Sequence, residues 1–277
     1  MIEVNNLRFR YPMKFKLFND VSFNIGSGKI VGLLGKNGEG KTTLLKLLGG
    51  QLLRLDGKMN VFGEDPGKRS VHFLSNVFYL PEVFHIPKGV TIRSYFNALK
   101  GFYPNFSEKI AAEAMHDFEI DYDMKLNKIS QGQQKKAFIT FALAVRAQVL
   151  LMDEPTNGLD IPSKSAFRRL LAKHTSDDQT IIISTHQVRD LEQIIDHIMV
   201  MHINKIILND SLANLSECFT FRTVGKDETA LYQEMTPAGM FGIFKKDQDD
   251  DSTFSTELFF NALISDREKI LKLIPQQ

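Results

Sequence analysis

Cysteine is nearly absent from this sequence, and its scarcity limits where the chain can work. Cys218 is the single cysteine among 277 residues, so an internal disulfide is excluded and a reducing compartment is favoured. A strong charge of either sign is also missing, because 34 Lys and Arg balance 33 Asp and Glu, for a formal net charge of +1 at pH 7. The overall charge therefore gives no bias toward nucleic acid or an anionic membrane surface.

Long hydrophobic runs are missing as well. The longest apolar-rich run, residues 137–145, is too short for a bilayer, which takes about 20 residues. The first residues, Met-Ile-Glu-Val-Asn-Asn, show neither the basic flank nor the apolar core of a signal peptide. We therefore expect a cytoplasmic chain that meets a membrane only through a partner protein.

What the sequence does contain is a glycine-rich loop between a predicted strand and a predicted helix. An apolar run at residues 30–34 leads into Gly-x-x-x-x-Gly-Lys-Thr at residues 35–42, and a leucine-rich helical pattern follows. The glycines allow backbone N–H groups to converge on one anion, and the helix start adds unpaired donors. Lys41 would reach the β- and γ-phosphates of a nucleotide, and the Thr42 hydroxyl would bind Mg²⁺. The alternative is a glycine-rich turn that merely precedes a lysine.

Two adjacent carboxylates follow a second apolar run, residues 149–152. At the end of a buried strand, Asp153 can bind Mg²⁺ through water, and Glu154 can orient or deprotonate the water that attacks the γ-phosphate. For this pair alone, a solvated strand end is the alternative. Together with the upstream phosphate loop, the pair is a Walker B motif.

The remaining pattern predicts an α/β fold with a P-loop NTPase core and a mixed sheet. Residues 7–11 and 21–25 alternate between apolar and polar side chains, which predicts an antiparallel edge. Continuous apolar runs such as residues 180–183 predict parallel strands that are covered on both faces.

Changes of pattern along the chain predict its domains. We assign residues 1–211 to an ATPase domain, and within it helical spacing over about 83–146 predicts an inserted helical subdomain. Residues 212–277 predict a small α+β C-terminal extension of unknown role. In this extension, the acidic run at 247–251 is interpreted as a solvated loop tip.

With these motifs in view, the sequence resembles the nucleotide-binding subunit of an ATP-binding cassette (ABC) transporter over residues 1–211. Residues 129–133, Ile-Ser-Gln-Gly-Gln, are similar to the family's signature Leu-Ser-Gly-Gly-Gln. Residues 156–160 look like its D-loop, and residues 79–82 stand in the place of its Q-loop. His186 closes a predicted strand as the family's switch histidine does.

The resemblance implies the roles of further residues. Tyr11 would stack on adenine, Phe15 is the rival for that role, and a core or edge aromatic is the alternative for either. The catalytic set is Glu154, His186 and Lys41; the metal set is Thr42, Glu82 and Asp153; the nucleotide-binding set is Tyr11, Gly35, Lys36, Asn37, Gly38, Glu39, Gly40, Lys41, Thr42, Thr43, Ser130, Gly132, Gln133 and Asp160.

Two positions depart from the family pattern. Glu82 replaces the usual glutamine, so it would still serve Mg²⁺ and water but adds negative charge beside the γ-phosphate. Gln131 replaces a glycine of the signature, and it would be strained if that position takes a positive φ. Gly132 is retained, so a close backbone approach to phosphate remains available.

The resemblance also implies partners. In the family, two subunits pair head to tail, and each phosphate loop is completed by the other subunit's signature. One chain carries one of each, so we expect a homodimer on Mg-ATP. An integral membrane permease would dock on the helical subdomain, where six aromatics supply either a core or an exposed groove: Phe84, Tyr95, Phe96, Phe102, Tyr103 and Phe106.

The expected function is ATP binding and hydrolysis that power a separate permease at the inner face of the cell membrane. The short stretch between Glu82 and Ser130 is similar to export-type cassettes, which favours an exporter. No nucleic-acid partner is expected. The rival functions are an ABC-type ATPase that serves nucleic acid or ribosomes, and a nucleotide sensor that binds ATP but hydrolyses it weakly.

Overall fold

The computed structural model describes residues 1–13, 16–86, 88–226, 228–237, 239–246 and 252–275. Within these residues, strands and helices alternate along most of the chain. In chain order they are β1 (Ile2–Arg10), β2 (Lys16–Ile25), β3 (Ile30–Leu34), α1 (Lys41–Leu48), β4 (Asp56–Val61), α2 (Val71–Asn76), β5 (Val77–Leu80), α3 (Ile92–Leu99), α4 (Glu108–Asp117), α5 (Gln131–Val145), β6 (Val149–Asp153), α6 (Ile161–His174), β7 (Thr180–Thr185), β8 (His197–His202), β9 (Lys205–Ser211), α7 (Leu212–Cys218), β10 (Phe219–Thr223), β11 (Tyr232–Thr236), β12 (Gly239–Lys245), α8 (Thr256–Ser265) and α9 (Arg267–Leu271).

A six-stranded sheet in the order β5-β6-β7-β3-β8-β9 forms the centre of the fold. Adjacent strands of this sheet are parallel from β5 to β8, and β9 runs antiparallel to β8, so the prediction of a mixed sheet is confirmed. Every residue of β6 and β7 is buried, because elements cover both faces of these strands. The carboxyl ends of β6, β7 and β3 therefore meet at one edge of the sheet.

A separate antiparallel sheet, β2-β1-β4, supplies the predicted antiparallel edge. Alternate residues of β1 are buried on either side of a shift in the pairing register between Val4 and Leu7: Ile2 and Val4 before the shift, and Leu7 and Phe9 after it. They share an apolar cluster with the leucines of α1 and with Leu151 and Ile182 from one face of the central sheet. The start of α1 is thereby packed between two sheets, which fixes the loop that precedes it.

The predicted helical region between β5 and β6 contains α3, α4 and α5. Its aromatics mostly form a core. Phe84 stacks on Phe138 with ring centroids 3.9 Å apart. Four others surround Phe141: Tyr95, Phe96, Tyr103 and Phe106. Phe102 differs, because 69% of its surface is exposed. The alternative of a wholly exposed aromatic row is therefore wrong, and Phe102 alone of the six is left for a surface role.

The extension beyond residue 211 is a three-stranded antiparallel sheet, β10-β12-β11, with α7, α8 and α9. No linker separates it, because Ser211 ends β9 and its Oγ accepts a hydrogen bond from Asn214 N at 3.1 Å as the cap of α7. Phe219 and Phe259 belong to the same buried cluster as α5 and α6. The domain boundary at 211 stays a prediction. Phe15 and the acidic run at 247–251 lie outside the described residues.

Candidate functional site

The phosphate loop lies between β3 and α1, at the carboxyl edge of the central sheet. Gly40 precedes α1 with φ 105°, a conformation that favours glycine. A Cβ atom at Gly40 would also lie 2.9 Å from the Phe18 ring. Both observations explain why this position has no side chain and why the loop can turn directly into the helix.

Lys41 is held inside the loop. Its side-chain Nζ donates hydrogen bonds to Gly35 O at 2.7 Å and to Lys36 O at 3.2 Å. Burial lowers the pKa of the Lys41 ammonium, and the nearby Glu154 carboxylate, whose Oε1 lies 4.0 Å from Nζ, opposes that shift in part. The ammonium is therefore poised at the loop centre with carbonyl partners that a phosphate oxygen can replace.

Asp153 ends β6 and is almost completely buried, with 2% of its surface exposed. Ser184 Oγ donates a hydrogen bond to Asp153 Oδ1 at 2.5 Å, and the Tyr79 hydroxyl donates one to Oδ2 at 3.2 Å. Burial raises the pKa of the Tyr79 hydroxyl far above its usual value, and Asp153 raises it further. Tyr79 therefore stays a protonated donor that orients the carboxylate. Sequence reasoning missed Tyr79 and Ser184, because only the strand order β5-β6-β7 brings them to Asp153.

Glu154 has a strained backbone, with φ 46° for a residue that is not glycine. Its N–H donates to Ser184 O at 3.1 Å, which helps to hold this conformation. The His186 Nδ1 atom lies 2.9 Å from Glu154 Oε1, and His186 N donates to Oε2 at 3.4 Å. The structure thus brings together Glu154 and His186, two of the three residues that the resemblance implies are catalytic, and the Nζ atom of the third, Lys41, lies 4.0 Å from Glu154 Oε1.

Half of the predicted nucleotide-binding set lines one cavity of about 620 Å³, together with the predicted metal and catalytic residues. Tyr11 stands at its margin, where its hydroxyl lies 3.0 Å from Thr43 Oγ1. The lining residues from the predicted sets are Tyr11, Asn37, Gly38, Gly40, Lys41, Thr42, Thr43, Glu82, Asp153, Glu154 and His186. The metal set, Thr42, Glu82 and Asp153, offers only oxygen donors, which suits Mg²⁺ shared with phosphate oxygens.

The Glu39 side chain faces away from this cavity. Its carboxylate lies 3.0 Å from His202 Nδ1 at the end of β8 and accepts a hydrogen bond from Lys36 N at 3.0 Å. Glu39 can therefore offer a phosphate only its backbone. The contact between Glu39 and His202 was not predictable from the sequence, since the two residues are 163 positions apart.

The signature residues lie apart from the cavity of their own chain. Ser130 caps α5, with its Oγ accepting from Gln133 N at 3.2 Å and its N donating to Gln133 Oε1 at 3.1 Å. Gln131 begins the helix without a positive φ, so the condition under which glutamine would be strained at this position is not met. Asp160 caps α6 through Ser163 N, and like Ser130 it is exposed.

Comparison with known proteins gives the site its context. The family described as ABC transporter matches residues 18–157. The zinc uptake system ATP-binding protein ZurA of Listeria monocytogenes is 31% identical over 233 residues, which cover 77% of this chain and 86% of ZurA. The Nod factor export ATP-binding protein I of Burkholderia orbicola is 28% identical over 244 residues, covering 85% and 80%.

The fold agrees with that match. The dimeric structure of a bacterial ABC transporter cassette superposes with a TM-score of 0.67 at 21% identity, covering 76% of this chain and 99% of the cassette. Fold and site together define a P-loop ATPase. The chain belongs to the ABC transporter family, as an ATP-binding cassette that hydrolyses ATP. In the described part of the chain, no helix has the length and apolar character needed to span a bilayer.

Proposed function

We propose that this chain is the ATP-hydrolysing subunit of an ABC exporter, that two copies close on Mg-ATP, and that they drive a separate membrane permease. The observation that carries the proposal is the cavity in which the phosphate loop, the Asp153–Glu154 pair and His186 meet, together with an apolar groove that other residues of the chain line. The membrane location at the inner face of the cell membrane would come from the permease.

The roles within the cavity follow from its geometry. The phosphate loop and Lys41 would hold the triphosphate, while Tyr11 would contact the base. Glu154 would accept a proton from the attacking water, and His186, bonded to its carboxylate, would keep that carboxylate aimed. A magnesium ion held by Thr42 and Asp153 would neutralise phosphate charge.

Dimerisation on ATP is supported by where the signature lies. Ser130 is exposed and does not line the cavity of its own chain. Its helix start offers a hydroxyl, backbone N–H groups and a positive dipole end to an anion held by another copy. The similar solved cassette is itself a dimer. A head-to-tail pair would place each Ser130 and Asp160 beside the partner's phosphate loop.

Permease docking is supported by the groove of about 610 Å³ between the end of α1, helix α2 and the turn after α3. Three large apolar side chains in it are exposed: Val71 by 85%, Leu74 by 41% and Phe102 by 69%. Apolar side chains of this size rarely gather on a monomer surface without a binding role. The groove joins the ATPase core to the helical subdomain, so a protein helix seated there would follow their relative motion.

The docking test uses a candidate permease, co-expressed and purified with this chain. Phe102→Asp should abolish co-purification and keep the basal ATPase activity of the isolated cassette within about twofold, since Phe102 lies outside the nucleotide cavity. Met235→Asp is the matched control, because Met235 is 76% exposed but lies on β11 of the extension. Native co-purification of Phe102→Asp would contradict the docking site.

Export rests on the short helical insertion between Glu82 and Ser130. Relatives are named for zinc uptake and for Nod factor export, so their names leave the direction to experiment. In proteoliposomes whose cassettes face outward, Mg-ATP should drive cargo into the lumen. Loss of cargo from those vesicles would identify an importer instead.

A further inference from the structure

Helix α5 contains a buried ammonium that the site as described does not use. Lys135 lies five residues after the signature Ser130 and is 7% exposed. Its Nζ donates hydrogen bonds to two backbone carbonyls, Glu154 O at 2.9 Å and Asn157 O at 3.0 Å. Burying a lysine is costly, and its pKa is lowered by that burial. A side chain retained at such a cost suggests a function for the charge.

The two carbonyls belong to the segment that follows the Walker B strand. Glu154 takes its left-handed φ of 46° at the start of this segment, and Asn157 N closes the turn onto Glu154 O at 3.3 Å. For a residue with a side chain, that conformation is unfavourable. The hydrogen bonds from Lys135 hold both ends of this turn and oppose a return of Glu154 to a more favourable backbone conformation. Such a change would move the Glu154 carboxylate away from His186.

A third contact continues the network to the Q-loop position. Asn157 Nδ2 donates a hydrogen bond to Glu82 Oε1 at 2.9 Å. Lys135, Asn157 and Glu82 line one cavity of about 300 Å³ beside the nucleotide cavity. The Lys135 ammonium therefore attracts the Glu82 carboxylate, which stands where the family usually has a glutamine.

We propose that Lys135 is a positioning residue for ATP hydrolysis: it fixes the main chain of Glu154 in its active conformation and balances the charge of Glu82. Lys135 and Ser130 lie in the first turns of α5. A partner's nucleotide that binds Ser130 therefore also shifts the hydrogen bonds from Lys135 to the main chain of Glu154 and Asn157. The inference rests on the proposed catalytic role of Glu154, and it concerns hydrolysis whatever permease is driven.

The primary test is Lys135→Met, which keeps the length and apolar stem of the side chain but removes its donors and charge. Steady-state phosphate release should show kcat about tenfold lower and KM changed less than about threefold, because Lys135 touches Glu154 and not the phosphate loop. Lys136→Met is the matched control. Lys136 is the next residue of the same helix, and its Nζ bonds Phe118 O at 3.4 Å in the helical region. Its kcat should stay within about twofold of native.

A second readout separates positioning from general destabilisation. Glu82→Gln should raise the kcat of the Lys135→Met chain by about threefold relative to the effect of the same substitution on the native chain, since only the Lys135→Met chain has an unbalanced carboxylate. If Lys135→Met unfolds, Lys135→Gln, which retains N–H donors on a shorter side chain, should fold and lose about threefold in kcat.

Three results would overturn the inference: native kcat in folded Lys135→Met or Lys135→Gln, equal losses in the variants of Lys135 and Lys136, or an equal effect of Glu82→Gln in both backgrounds. The Glu154→Gln variant shows whether such a result contradicts only the role of Lys135 or also the proposed catalytic role of Glu154. If Glu154→Gln loses turnover while Lys135→Met keeps it, only the positioning role is lost. If Glu154→Gln keeps native turnover, the role of Glu154 itself is wrong.

Discussion

Replacing Glu154 by glutamine removes one charge from the candidate catalytic pair and leaves the shape of the side chain almost unchanged. The carboxylate is 9% exposed and lies 2.9 Å from His186 Nδ1, so water screens it little. A missing general base typically costs 10²–10⁴-fold in rate, which corresponds to about 2.7–5.4 kcal/mol in the activation barrier. We expect kcat for Mg-ATP hydrolysis to fall by about that factor.

Nucleotide binding should survive the same change. Glu154 Oε1 is 4.0 Å from Lys41 Nζ, and a neutral amide there removes a negative charge that faces the triphosphate. The affinity for Mg-ATP should therefore be equal to native or higher, as measured by titration of a fluorescent ATP analogue. Because hydrolysis no longer reopens the pair, gel filtration with Mg-ATP should show a dimer.

The control is Glu108→Gln, the same chemical change at a surface residue of α4 that pairs with Lys100. Its turnover should match that of the native chain, because surface ion pairs contribute little. Turnover of Glu154→Gln within about tenfold of native would refute Glu154 as the base. A chain that stays monomeric with Mg-ATP in this variant would count against the proposed dimer.

Three further perturbations follow from the site and its surroundings. Lys41→Ala should weaken Mg-ATP binding by about 10–100-fold in the same titration, since a charged donor to phosphate is lost; unchanged affinity would remove Lys41 from the site. Tyr79→Phe should lower kcat by about 3–10-fold, because Asp153 loses one of its two donors, and a native rate would make that bond incidental. Hydrogen bonds from Arg54 hold the pKa of Asp65 below its usual value. The stabilisation of the folded state by the Asp65 carboxylate is therefore complete at pH values above the pKa of an unfolded aspartate, about 3.9. It is lost as the pH falls through the lower pKa of Asp65 in the folded protein. At pH 7 the native protein should have a higher melting temperature than Asp65→Asn, and this difference should disappear in acid. A difference in melting temperature that does not change with pH would contradict this prediction.

The motifs that lie in one continuous stretch could be predicted from the sequence. The phosphate loop is set by neighbours within a few positions, so its spacing identifies it; the Asp153–Glu154 pair is identified by its place after an apolar strand downstream of that loop, and the signature by its resemblance to the family pattern. Strand patterns were equally readable, because β6 and β7 are buried on both faces and need unbroken apolar runs. The α/β fold with its mixed sheet followed from those runs.

Local rules failed where the backbone conformation was decided by what packs on it. The expected strain at Gln131 assumed a positive φ, but the residue begins a helix capped by Ser130. Aromatics such as Phe96 and Phe106 were compatible with a groove or a core, and only the presence of Phe141 between them decides for the core.

The amino-acid sequence by itself determined which chemical groups this protein carries and where the phosphate loop and the buried strands of the central sheet lie along the chain. The tertiary structure alone decided which distant groups meet: Tyr79 with Asp153, Lys135 with the carbonyl of Glu154. Such contacts join residues from separate strands and helices. Their distances depend on strand order and helix packing, and no spacing along the chain encodes either.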